Sequence, residues 1–203
     1  MNDKRTGNQS DAGKKISRTA RAWSKKQNPP MIQAWEIDLL IKYSKKCRVH
    51  FLEIGTYQGG SGALISRYLA KEVRLTTIDV FDDVPRSTIP PDSGPADYQE
   101  ARRTIVRQGD IRKVRIIKGV SWEVPKKRGK RIDVLFVDGD HRYPSVKKDI
   151  ASWEPYLVKG GYILLHDIDF PGVFKAFRDM LRDKKKFVFI ERAGTLAVIR
   201  KRA

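Results

Sequence analysis

The chain has a single cysteine, Cys47, in 203 residues. One thiol excludes an internal disulfide and any cysteine-based zinc site, and it predicts a reducing cytoplasm as the natural home. No apolar run approaches the roughly 20 residues of a bilayer-spanning helix, so no membrane role is expected. Residues 1–15 lack the apolar core of a secretory signal. Acids are also in short supply: 24 Asp and Glu face 42 Lys and Arg, for a formal net charge of +18. Of that excess, +6 falls in residues 1–30, which hold eight Lys/Arg and two Asp. Such a charge attracts polyanions. It is equally what a plain solubility bias produces, because the basic residues interleave with acids and no aromatic-basic RNA signature is present.

What is there describes a folded domain. Forty per cent of the residues are hydrophobic, and four Trp, eight Phe and seven Tyr argue against wholesale disorder. The length suits one domain and a tail. Residues 1–30 read as a basic disordered arm, closed by Asn28-Pro29-Pro30, and residues 31–203 as the domain. A helical stripe, Ile32, Trp35, Leu39, Leu40 and Tyr43, marks 31–46. Strands over Val49–Ile54, Leu75–Val80, Val114–Lys118 and Ile132–Val137 then alternate with helices over Ser61–Lys71 and Tyr98–Gln108. Pro144 suits the first turn of a further helix, which Gly160-Gly161 is expected to end before a strand at Tyr162–Leu165. A helix near 172–183 and two short strands, Phe187–Ile190 and Leu196–Ile199, complete the chain. The alternation predicts an α/β fold, a doubly wound and mostly parallel sheet with helices on both faces. In such a sheet the strand C-termini share one edge, and ligands bind there.

The residues after each strand are therefore gathered. After the first come Glu53, Gly55, Thr56, Tyr57, Gly59, Gly60 and Ser61. Glycines permit a tight turn and close approach of a ligand, and Ser61 is a reasonable helix cap. The turn lacks the Gly-Lys-Ser/Thr of a phosphate-binding loop, and Tyr57 stands where a dinucleotide fingerprint needs Gly. A plain strand–helix turn using Gly for packing fits as well. Asp79 follows the second strand, twenty residues beyond Gly59, where a carboxylate can accept both hydroxyls of a ribose; a cap or an ion pair is its other reading. Gly119, Val120, Ser121 and Trp122 follow the third, placed to meet a base edge.

Asp138, Gly139, Asp140 and His141 follow the fourth strand, and His166, Asp167 and Asp169 the fifth. Acids brought this close repel unless a cation lies between them. A divalent metal is the economical choice: Asp138 and Asp167 with Asp140, Asp169 or His166 resemble an oxygen-rich Mg²⁺ or Mn²⁺ set. Alternatively, Asp138 touches only a nucleoside and Asp167 caps the next helix. His141 either steadies its turn or takes a proton from an alcohol or phenol. His50 starts a strand at the far edge and is set aside.

Together these residues resemble the class I S-adenosylmethionine-dependent methyltransferases, from about Trp35 to Ile199. Glu53-x-Gly55-x-x-x-Gly59 looks like their first motif, and Asp79 like their ribose-binding acid. Asp138-Gly-Asp-His141-x-Tyr143, then Val146, Asp149, Trp153, Gly160-Gly161 and His166-Asp167, resembles one subgroup, the family-24 methyltransferase domain, akin to macrolide-sugar O-methyltransferases. The resemblance implies a Rossmann-like sheet of seven strands in the order 3-2-1-4-5-7-6, strand 7 antiparallel. It implies S-adenosylmethionine on Glu53, Gly55, Thr56, Tyr57, Gly59 and Ser61, its ribose on Asp79 beside Val80, its base near Ser121, and Asp138 at the reacting end. Metal-using relatives would place ligands at Asp138 and Asp167; here His166 stands where a further acid is common.

The expected activity is O-methylation of a small hydroxylated acceptor, with Asp138 and His141 as catalytic residues and Mg²⁺ or Mn²⁺ assistance. A Pro-rich loop at 82–98 is expected to act as a lid. Two alternatives stay open: ribose methylation of nucleic acid, and a non-catalytic nucleoside- or RNA-binding module using the basic arm as its polyanion contact. The oligomeric state is open, and a homodimer is compatible with the sequence.

Overall fold

The computed structural model describes residues 16–81, 96–124 and 131–202. Residues 1–15 of the expected arm, and the expected lid except 96–98, lie outside them. Seven strands, β1 (His50–Ile54), β2 (Arg74–Asp79), β3 (Val114–Lys118), β4 (Ile132–Val137), β5 (Leu157–Leu165), β6 (Phe187–Ala193) and β7 (Leu196–Lys201), form one sheet in the order 3-2-1-4-5-7-6. Strands β1 to β5 pair in parallel, and β7 runs antiparallel to both β5 and β6. Helices α1 (Arg18–Trp23), α2 (Ala34–Lys46), α3 (Gly60–Tyr68), α4 (Tyr98–Gln108), α5 (Tyr143–Trp153) and α6 (Pro171–Arg182) surround it. No helix among the described residues is long and apolar enough to cross a membrane.

Strand alternation divides the core into two layers. Phe51, Val134, Phe136, Leu164 and Val198 pack with Leu40, Tyr43, Leu64, Ile65 and Ile105 of α2, α3 and α4. Leu52, Leu135, Val137, Ile163 and Ile199 pack with Val146, Ile150, Val173 and Met180 of α5 and α6. All six residues of β4 are buried, as a central parallel strand covered on both faces requires.

Two expectations need correction. Residues 16–30 are not a disordered arm. Ser17 caps α1 by accepting from Ala20 N and bonds Asp38, while Ala20 and Trp23 are buried. Trp23 Nε1 donates to Tyr68 Oη (3.2 Å), and Asn28 Nδ2 donates to Glu100 and Thr104 (2.7 Å each). The second correction concerns Gly160-Gly161, which does not end α5. The helix stops at Trp153, ahead of a 3₁₀ turn at Glu154–Tyr156 that contains Pro155, since proline cannot donate to a continuing helix. The glycines lie inside β5, where the register with β4 shifts between Ile132 and Val134. Gly160 has φ +79°, open to glycine at no steric cost.

Candidate active site

The ladder runs one residue past the strands and ties their tips into a row. Gly119 N donates to Asp79 O, Gly55 N to Ile78 O, Asp138 N to Ile54 O, and His166 N to Val137 O, at 2.8–3.1 Å. Gly55, Asp79, Asp138 and His166 are thus neighbours on one edge because the chain before each is a parallel strand. At Gly55 (φ +95°) a Cβ would stand 2.0 Å from Asp138 O, so only glycine lets the first and fourth tips meet.

The turn after β1 is held by Asp79. Its Oδ2 accepts from Thr56 N (2.7 Å) and Tyr57 N (2.8 Å), and its Oδ1 from Phe81 N (2.8 Å). Tyr57 has φ +49°, so the residue standing in place of the fingerprint glycine adopts a glycine-like conformation. The other described non-glycine residues with positive φ are Phe81 and Asp167. All three follow strands at this edge, where backbone strain commonly accompanies function. Gly59 and Gly60 serve packing: a Cβ would meet Ala101 O at 2.6 Å and Pro29 O at 2.4 Å. Gly59, not Ser61, is the N-cap of α3. The Thr56 hydroxyl turns inward to Thr77 (2.5 Å).

Glu53 is fully buried, and neither carboxylate oxygen has a hydrogen-bond partner. Burial pushes its pKa up to about 8, and the charges of Asp138 and Asp79 add to the shift. Val80 is half-buried beside Asp79. Ser121, buried after β3, bonds Asp149 through its hydroxyl and accepts from Trp153 Nε1 through its carbonyl (3.0 Å). Burial lifts the Asp149 carboxyl to about 7.

The fourth and fifth tips share one charged network. His166 Nδ1 lies 2.8 Å from Asp138 Oδ1 and 3.2 Å from Asp167 Oδ2, and its Nε2 lies 3.3 Å from Glu36 Oε2. His141 Nε2 lies 3.0 Å from the same Asp167 Oδ2, and the His141 ring packs on Phe170 with centroids 4.4 Å apart. Burial disfavours a charged His166, but Asp138, Asp167 and Glu36 outweigh it and push its pKa up to about 12. Burial opposes ionisation of Asp167 too, yet the two imidazoles hold it well below the usual carboxylate range. The Asp167 hydrogen bond raises the pKa of His141 against the pull of burial. One ligand atom each from Asp138, His141 and Asp167 come within 4.8 Å of one another.

Glu36 escaped the reading of the sequence. It sits on α2 among core positions Ile37, Leu40, Tyr43 and Ser44, and the visible signal was a carboxylate four residues before Leu40 on a buried stripe. It is fully buried and accepts from Gln33 N (2.6 Å), Thr195 N (2.6 Å) and Thr195 Oγ1 (2.9 Å). Gly194, at the turn between β6 and β7, brings the backbone down onto it: a Cβ there would stand 2.5 Å from Glu36 Oε1.

A family model described as "Methyltransferase domain" matches residues 52–168. Among solved structures, the O-methyltransferase TomG from Streptomyces achromogenes, in complex with SAM, aligns with TM-score 0.64 and 19% identity, over 91% of this chain and 88% of that one. The O-methyltransferase NovP aligns with TM-score 0.70 and 17% identity, over 87% and 84%. At such identities the likeness speaks for the fold alone. A curated relative, the uncharacterized protein R132 of Acanthamoeba polyphaga mimivirus, is 50% identical over 36 residues, 18% of this chain and 16% of that protein's length.

Proposed function

Because the chain belongs to the family-24 methyltransferase-domain family, matched over residues 52–168, we propose that it moves a methyl group from S-adenosylmethionine to an oxygen of a small hydroxylated acceptor. The observation that carries this reading is the His141–Asp167 pair, standing at the strand edge that also gathers Gly55, Asp79 and Asp138.

The residues present fit the cofactor. Glu53 keeps two orphaned buried oxygens beside the first turn of α3. Among the described residues Asp79 Oδ1 accepts from Phe81 N alone, which leaves it acceptor capacity for a ribose hydroxyl. Val80 and Ser121 would meet the base, and Asp138, one ladder step from Gly55, would face the cationic end. When bound, S-adenosylmethionine supplies a methyl group on a cationic sulfur.

The chain's own part is orientation and proton transfer. With Nε2–H donated to Asp167, a tautomer assigned from that partner, His141 keeps a lone pair on Nδ1. The acceptor's hydroxyl proton passes to Nδ1, and Asp167 stabilises the imidazolium that forms. Phe170 packs against the ring at a tilt of 38° and limits its rotation. The Mg²⁺ or Mn²⁺ expected on Asp138, Asp167 and His166 does not suit this donor set, because both ring nitrogens of His166 already face carboxylates at 2.8–3.3 Å. No step runs through a metal.

The test is His141→Asn. Transfer of labelled methyl to a panel of sugars and phenols should fall about 100-fold, with S-adenosylmethionine affinity unchanged by calorimetry. Undiminished transfer rejects the base assignment. Ribose methylation of nucleic acid is a second reading, favoured by the net charge of +18; label appearing in RNA and in no small acceptor selects it.

A further inference from the structure

We propose that His166 is a built-in cation, fixed between Asp138, Asp167 and Glu36, which fills the place a divalent metal would take at these strand tips. The inference is independent of the acceptor and of methyl transfer itself.

Both ring nitrogens of His166 face carboxylates: Nδ1 faces Asp138 and Asp167, and Nε2 faces Glu36. A nitrogen facing a carboxylate must carry hydrogen unless the acid does. Glu36 cannot be that acid, because backbone and hydroxyl donors from Gln33 and Thr195 already occupy its two oxygens, and such donors stabilise the ionised form. Asp167 accepts from His141 as well. With Asp138, Asp167 and Glu36 all within 3.3 Å of one buried ring, hydrogens on both nitrogens are the arrangement that pairs every carboxylate, and the resulting imidazolium has no lone pair for a metal.

In the alternative ligand group of Asp138, His141 and Asp167, both acids are bonded to His166, and His141 Nε2 is bonded to Asp167. A divalent ion there would lie against a buried cation. Glu36 explains how that cation is kept. It stands on a different element, α2, and is itself pinned by the β6–β7 turn, so His166 cannot swing away without leaving two buried charges unpaired. His166 is thus a positioning residue: it holds Asp138 and Asp167 at one spacing and presents Asp167 to His141.

The chain has only three histidines, so ring signals are readily assigned in a ¹⁵N-labelled full-length sample. Near neutral pH both nitrogens of His166 should show attached hydrogen. Adding Mn²⁺ to millimolar concentration should leave the His141 and His166 signals without selective broadening. His166→Asn removes the cation and leaves two acids facing each other, so Mn²⁺ affinity, read by calorimetry, should rise at least about tenfold. Glu36→Gln, a milder change, should loosen the Nε2 side and give His166 a mixed protonation pattern. Selective broadening by sub-millimolar Mn²⁺ in the parent overturns the proposal. So does a singly protonated His166. Should His166→Asn fail to fold, the two parent measurements and Glu36→Gln still decide it.

Discussion

Burial without a partner decides the ionisation of Glu53. Its carboxylate lies against Gly62 in the first turn of α3 with no hydrogen-bond partner, and its pKa stands near 8 against an ordinary 4.5. Below the unfolded value the group is neutral in both states and costs nothing. As pH rises through the interval, the unfolded chain releases a proton the folded chain retains, and stability falls until the folded value is passed. Glu53→Gln removes that cost. Its stability should match the parent's near pH 4.5 and exceed it at about pH 9 by on the order of a few kcal/mol, read as a higher melting temperature. Equal melting curves at both pH values would mean the carboxylate has a partner. His141 shows the opposite pattern: its pKa is raised by an acid, so methyl transfer should climb with pH through a value above 6.5. Residues at this scale were legible in unequal measure. Gly55, Asp79, Asp138 and Asp167 announced themselves by following strands. The role of His166 did not, because its counter-charge Glu36 is 130 residues away and only the fold brings the two together.

At the scale of elements, local signals were enough wherever they agreed. Helix α4 spans Tyr98–Gln108 as read, because Asp97 caps it by accepting from Glu100 N and Gly109 closes it. The strands Val114–Lys118 and Ile132–Val137 also hold to the residue. The segment 16–30 failed because composition averages over its length: nine polar residues hide two that matter, Ala20 and Trp23. Those two dock α1 against α2 and α3. Trp23→Ala should therefore destabilise the whole domain by about 3 kcal/mol, seen as a lower midpoint in urea. A free arm would leave the midpoint where it was. Segment β5 was misread at its start for a related reason: Gly160-Gly161 is a sound helix-stop signal, but Pro155 had already stopped the helix.

For the molecule as a whole, the formal charge of +18 understates what solvent meets. That count treats every acid as ionised and every histidine as neutral. Glu53, with a pKa near 8, is mostly protonated at neutral pH, and His166, near 12, is charged; each adds one positive unit. Several of the remaining acids face inward. Glu36, Asp138 and Asp167 are spent on imidazoles, Asp79 on the glycine turn, and Asp133 on the backbone of Arg48, Val49 and His50. The outer surface is left with a cationic excess that the exposed pairs, such as Arg112–Asp110 and Arg182–Asp179, do little to offset. Self-repulsion of this kind opposes the compact state and is relieved by screening. Raising sodium chloride from about 20 mM to about 500 mM, where the Debye length shrinks severalfold, should lift the melting temperature by a few degrees. Chloride is the right probe because sulfate would strengthen apolar burial as well. A melting temperature that falls with salt would mean that surface ion pairs outweigh repulsion, and the same result would remove charge as the ground for expecting a polyanion partner.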